Sequence, residues 1–140
     1  MPLKIGRGDV GHIHEHARGA YPEECAGAMV GMNLDGMKIV VAVWRADNTH
    51  EEERGRRFLI EPLKIKEFEE KATERDMEVL GFYHSHPDHP AKPSQFDLDH
   101  ALPSFSYIIV SVQAGVPEDM TSWRLQEDRS AFDQENLTHA

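Results

Sequence analysis

The segment from Glu78 to Ser85, carrying Val79, Leu80, Phe82 and Tyr83 and halted by Pro87, reads as a strand that ends in His84-Ser85-His86. Residues two apart in a strand face the same side, so both imidazoles converge on one point, a geometry that suits a metal ion. Beyond Pro87, the loop Asp88 to Pro93 leads into Ser94-Gln95-Phe96-Asp97, which reads as a helix start. Ser94 and Asp97, three residues apart on a first turn, are neighbours in space. His84, His86 and Asp97 thus offer two neutral imidazoles and one carboxylate. Three such ligands leave a fourth tetrahedral position for water, the pattern of a catalytic rather than a structural zinc site.

Each half of this arrangement has a plainer explanation. A His-x-His on a sheet is commonly two surface histidines. Ser94-x-x-Asp97 is also a capping pattern, the serine accepting from the backbone near Asp97 and the carboxylate favouring the helix N-terminus. Capping and catalysis are compatible.

The 140 residues suffice for one core but not for two, so one domain is expected over 1–140. Leu, Ile, Val and Phe exceed a fifth of the chain, which fits a globular protein. A helix from about Asp9 to Gly19 is followed by a break at Tyr21-Pro22. A hairpin pairs Cys25 to Met32 with Met37 to Trp44 through the turn Asn33-Leu34-Asp35-Gly36, with Glu24 at its entrance. Arg45 to Arg57 is a polar surface loop able to act as a flap, and Phe58-Leu59-Ile60 a short strand. Pro62 opens a helix bearing Leu63, Ile65, Phe68, Ala72 and Met77. Ser106 to Gln113 and Ser122 to Gln126 complete the strands, and the tail from about Glu127 stays unassigned. This order predicts an α/β fold, a mixed sheet flanked by helices.

A formal charge of −10 disfavours nucleic-acid partners, and none is expected, since neutralising phosphates requires clustered Lys and Arg. Cys25, the single cysteine, rules out an intrachain disulfide and a Cys-only zinc knuckle. No apolar leader opens the sequence, and the longest apolar run, Ile39 to Trp44, is too short for a bilayer. A cytoplasmic protein without membrane attachment is the expectation; nothing in the sequence sets its oligomeric state.

His84-Ser85-His86-Pro87, with Ser94 seven positions beyond Pro87 and Asp97 three further, resembles the JAMM signature of the MPN-domain metallopeptidases. Family members also carry an upstream Glu-x-Cys-Gly-Leu-Leu-x-Gly. Glu24-Cys25-Ala26-Gly27-Ala28-Met29-Val30-Gly31 keeps its glutamate and both glycines. Because Cys25 stands one place before the family's cysteine, Glu23 is a rival alignment, and anchoring on Gly27 and Gly31 selects Glu24. The resemblance implies an MPN-type, cytidine deaminase-like fold and one zinc ion per chain, held by His84, His86 and Asp97. It further implies Glu24 as general base and Ser94 as oxyanion donor. The reaction implied is hydrolysis of a peptide or isopeptide bond at the C-terminal tail of a ubiquitin-like or sulfur-carrier protein. A deep metal site beside a sheet favours an extended chain, which can add to an exposed edge through main-chain hydrogen bonds. The loops Arg45 to Arg57 and Asp88 to Pro93 are candidates to close over that tail.

Two rivals belong to other classes. Many MPN domains are non-catalytic scaffolds, but here every ligand position and the carboxylate are filled. A zinc deaminase needs a Cys-rich site that Cys25 alone cannot provide. His89 and His100 flank the signature and read as loop or helix histidines rather than ligands. Among His12, His14 and His16 only His12 and His16 share a helix face, a weak basis for a second metal site. Cys25 reads as a buried structural thiol, and Trp44 and Trp123 as packing residues.

Overall fold

The computed structural model describes residues 2–46 and 60–139. In chain order the elements are β1 (Leu3–Ile5), α1 (Arg7–Ala20), β2 (Ala26–Leu34), β3 (Met37–Ala46), α2 (Pro62–Glu74), β4 (Glu78–Pro87), α3 (Gln95–His100), β5 (Ser106–Gln113), β6 (Val116–Leu125), β7 (Phe132–Glu135) and β8 (Leu137–His139). The strands form one mixed sheet in the order β7-β6-β5-β4-β2-β3-β1-β8. β4 lies centrally, parallel to β5 and antiparallel to β2.

Two apolar layers cover the sheet. α1 buries Ile13 and Ala17 against Leu3, Ile5, Met29, Leu80, Ile108 and Val110, and α2 buries Phe68 and Ala72 against Ala28, Val30, Val79 and Phe82 on the other face. Because β2 is covered on both faces, Ala26 through Met29 and Val30 are all buried, which accounts for its unbroken run of small and apolar residues. A register shift between β2 and β4 at Met29/Val30 leaves Val79 and Phe82, three apart, in the same α2-side cluster. A Cβ at Gly27 would overlap the Tyr83 ring and the Trp44 carbonyl, and one at Gly31 the Ile39 carbonyl. The two glycines that anchor Glu24 are therefore packing requirements.

The predicted hairpin forms as β2 and β3. Asp35 and Gly36 both take positive φ, the backbone that a two-residue hairpin turn requires, and Asn33 Oδ1 accepts from the Gly36 amide at 3.0 Å. Three boundaries differ from expectation. α1 starts at Arg7, so Asp9 lies inside its first turn rather than capping it. β6 starts at Val116 rather than Ser122; it pairs with β7 only from Ser122 to Leu125, and Pro117 sits on the stretch whose outer side has no ladder to complete. The tail supplies β7 and β8. Phe58 and Leu59 of the expected short strand lie outside the described residues, and Ile60 is not in a strand.

β7 and β8 stand at opposite ends of the strand order, yet only Asn136 separates them in the chain. Its carbonyl accepts from Leu3 N at 2.9 Å. Residues 132–139 therefore bridge β6 to β1, and the sheet curls until its two ends are joined. No helix among the described residues is long and apolar enough to cross a membrane.

Candidate metal centre

The apolar part of β4 anchors it between β2 and β5, so its last residues emerge in fixed positions at the sheet's end. His84 Nε2 and His86 Nε2 lie 3.1 Å apart. Each is 3.1 Å from one oxygen of Asp97, His84 from Oδ1 and His86 from Oδ2. Zinc–ligand bonds of about 2.05 Å at a tetrahedral angle separate neighbouring ligand atoms by about 3.3 Å, so this triangle has the dimensions of a zinc site. The chemistry of the donors fits as well. His86 Nδ1 lies 3.0 Å from the Pro90 carbonyl, which can only accept, so Nδ1 carries the hydrogen. In the neutral ring Nε2 then turns a lone pair toward Asp97 and His84, an arrangement that a shared cation relieves. His84, His86 and Asp97 are the one group of this kind among the described residues.

Asp97 is brought to the triangle by the start of α3. Ser94 N donates to Asp97 Oδ2 at 2.8 Å while Ser94 Oγ accepts from Asp97 N at 3.1 Å, a reciprocal capping box. Burial opposes the charge on Asp97, but the neighbouring His84, His86 and Ser94 amide outweigh it and hold the carboxyl far below its ordinary range. Burial likewise disfavours the charged His86 ring; Asp97 and the Pro90 carbonyl overcome this and raise its pKa. Both shifts describe a site that gathers a negative carboxylate against groups ready to share positive charge.

The loop between the histidines and α3 is held by hydrogen bonds along its length; most of the other loop expected to close over a tail, Arg45 to Arg57, lies outside the described residues. Asp88 accepts from Tyr21 Oη at 2.7 Å and from Ala114 N at 2.8 Å. The His89 carbonyl accepts from Ser111 Oγ, and the Ala91 carbonyl from Thr121 Oγ1. Glu24, half-buried just before β2, lines a cleft with His86, Ser94 and Asp97, whereas Glu23 is exposed and absent from that lining. Since the Ser94 oxygen accepts from the backbone, its own proton stays available to a ligand in the same cleft.

Residues 8–126 match the model of the prokaryotic homologs of the JAB domain. The chain belongs to this JAB-domain family. A solved structure from Desulfitobacterium hafniense superposes with a TM-score of 0.86 at 26% identity, covering 99% of this chain and 92% of the other. One from Salinibacter ruber has a TM-score of 0.76 at 40% identity, covering 98% and 91%. A third, described as JAMM, a metalloprotease-like zinc site in the proteasome and signalosome, has a TM-score of 0.56 at 20% identity, covering 100% and 99%, and supports the fold alone. No curated protein matches the chain.

In this JAB domain the remaining candidates have structural places. The exposed His89 contributes a carbonyl to the loop network, and His100 Nδ1 bonds the Phe96 carbonyl at 2.9 Å. His16 Nδ1 meets Tyr83 Oη at 2.6 Å, which turns it toward the core rather than toward His12. Cys25 is buried, and its thiol is pushed up to about 11 by burial. Trp44 packs on Phe68 beneath Lys71, and Trp123 Nε1 donates to Thr121 Oγ1. One residue that motif reasoning passed over is Ser85. Fully buried, it accepts from Cys25 N at 2.9 Å and donates its own amide to the Cys25 carbonyl at 3.1 Å, tying the ligand strand to the residue after Glu24. Its alternation with the two histidines was the available signal: it had to face the core.

Proposed function

We propose that this JAB domain is a zinc-dependent hydrolase that cuts a peptide or isopeptide bond at the C-terminal tail of a ubiquitin-like or sulfur-carrier protein. The observation that carries it is the equilateral set of His84 Nε2, His86 Nε2 and Asp97 oxygens beside a cleft holding Glu24 and Ser94. When bound, zinc supplies Lewis acidity and a water acidified to near neutrality. Glu24 takes a proton from the attacking water and passes it to the leaving amine, a transfer worth about 10²–10⁴ in rate. Ser94 donates its hydroxyl to the developing oxyanion, and its capping bonds keep that hydroxyl in place. The His86 Nδ1–Pro90 bond fixes the ring so that Nε2 stays directed at the metal.

Support for a flexible tail as substrate comes from chemistry: glycine beside the scissile bond admits the backbone to a recessed metal without a Cβ in the way. An edge that an extended tail can join is present: among the described pairings β1 meets β3 only at Lys38 and Ile39, which leaves β3 from Val40 to Ala46 without an outer partner. The deciding experiment incubates the protein with ubiquitin-like carriers extended beyond a terminal Gly-Gly, with and without a chelator, and reads products by mass. Chelator-sensitive release of the extension is expected. Zinc retention with no cleavage of any carrier would favour the scaffold reading.

A further inference from the structure

The cleft that Glu24 shares with the metal ligands also contains a cation. Glu24, His86, His89, Lys92, Ser94 and Asp97 line it, together with neighbouring residues of the loop and of α3. Lys92 is the one lysine or arginine in this lining, beside two carboxylates and in a chain whose formal charge is −10. The main chain on either side of it is fixed. Ala91 is buried and its carbonyl accepts from Thr121 Oγ1 at 2.7 Å, the Lys92 amide donates to the Pro90 carbonyl at 2.8 Å, and Pro93 follows. The side chain, by contrast, is exposed, and its Nζ has no hydrogen-bond or ion-pair partner among the described residues. A cation anchored at its base, left without a partner and set in the same cleft as Glu24 is placed to meet an anion that arrives with the substrate.

On the proposed reaction, on which this inference rests, Glu24 delivers a proton to the leaving amine, so the leaving group occupies this cleft. Two kinds of leaving group differ in charge. When the bond cut joins a carrier to one terminal amino acid, the carbon next to the departing nitrogen also bears a free carboxylate. When the bond is an isopeptide, that nitrogen ends the methylene stem of a lysine built into another chain, and no carboxylate lies near it. Glu24 and Asp97 repel the first kind, and an ammonium in the same cleft offsets that repulsion. We propose that Lys92 is a specificity-determining residue that pairs with the α-carboxylate of the leaving group, so that the site favours release of a single terminal amino acid over cleavage of an isopeptide.

The test uses two small thiols that anchor on zinc and differ only where the leaving group's carboxylate falls: 3-mercaptopropanoate and its neutral amide, 3-mercaptopropanamide. Binding to the zinc-loaded chain is measured by calorimetry at low salt, with chelator-treated protein beside it. The carboxylate should bind about 5-fold more tightly than the amide, the upper range for an exposed ion pair, and the margin should shrink at high salt. Lys92→Ala should bring the two ligands to equal affinity and Lys92→Glu reverse their order, while Lys92→Arg keeps it. A lysine that served only the oxyanion or the loop would move both ligands together. A ratio that stays intact in Lys92→Ala therefore overturns the proposal, as does a preference lost in His89→Ala instead. Zinc-dependent binding with equal affinities in the parent sinks this assignment alone. Thiols that bind no better with zinc than without it, or not at all, sink the metal reading and this assignment with it.

Discussion

Ser85 stands between two imidazoles and faces away from both. With its hydroxyl removed, the buried Cys25 amide loses its acceptor, at a cost of about 1–3 kcal/mol. Ser85→Ala should therefore lower the melting temperature and reduce turnover more than zinc affinity, because the residue after Glu24 is what it holds; Ser85→Thr should recover part of both. At Glu24 itself, the Gln variant should keep zinc and fold while losing about 10²–10⁴ in rate, with Glu23→Gln mild. The opposite order, read by initial rates beside zinc content, would make Glu23 the base. The signature residues were legible because their types and spacing are those that a metal ion requires of its ligands. Ser85's bond was not, because its acceptor role depends on Cys25, which only the pairing of β2 with β4 brings near.

At the scale of elements, the loop after Pro87 behaves as a bracket for His86 and Asp97. Asp88→Ala removes the acceptor of both Tyr21 and Ala114. Zinc affinity should then fall by about 10-fold, as outer-shell losses do, while the overall fold persists. Competition with a chromophoric chelator reads this; unchanged affinity would show that the His86–Pro90 bond suffices. α1, α2, the hairpin, β4 and β5 could be read from periodicity, turn residues and the prolines. β1, β7 and β8 could not: three or four residues are too few to display a period, and their pairing partners lie far along the chain. Pro117 hid the first half of β6 for a related reason, since tolerance of a proline depends on the strand's place in the sheet.

For the molecule as a whole, zinc should bind with one ion per chain and raise the melting temperature. His84→Ala, His86→Ala and Asp97→Ala should each lose both effects, because two ligands compete poorly with water. Unchanged zinc by elemental analysis in all three would refute the assignment. Away from the site, Lys38 is buried, and its Nζ donates to the carbonyls of Leu80 and Ser104 and to Ser106 Oγ. Burial, aided by Arg124 and opposed by Glu135 and Glu78, lowers its pKa from 10.5 to about 8. Between these values the unfolded chain holds a proton the folded chain has shed, so stability due to Lys38 rises with pH across that window. Denaturation at pH 8 and 10.5 should show the parent gaining on the order of 2 kcal/mol relative to Lys38→Met, and a flat difference would contradict the shift. The segment 132–139, which carries β7 and β8, has a further consequence, in time rather than in energy. Leu3 pairs with Leu137, so a chain growing on the ribosome holds β1 through β6 as a sheet with unsealed ends until nearly all of these residues have emerged. A product broken off before Phe132 keeps those open borders, and they are templates for another unfinished chain. Emergence of residues 132–139 thus also ends the period in which these borders are open to another chain.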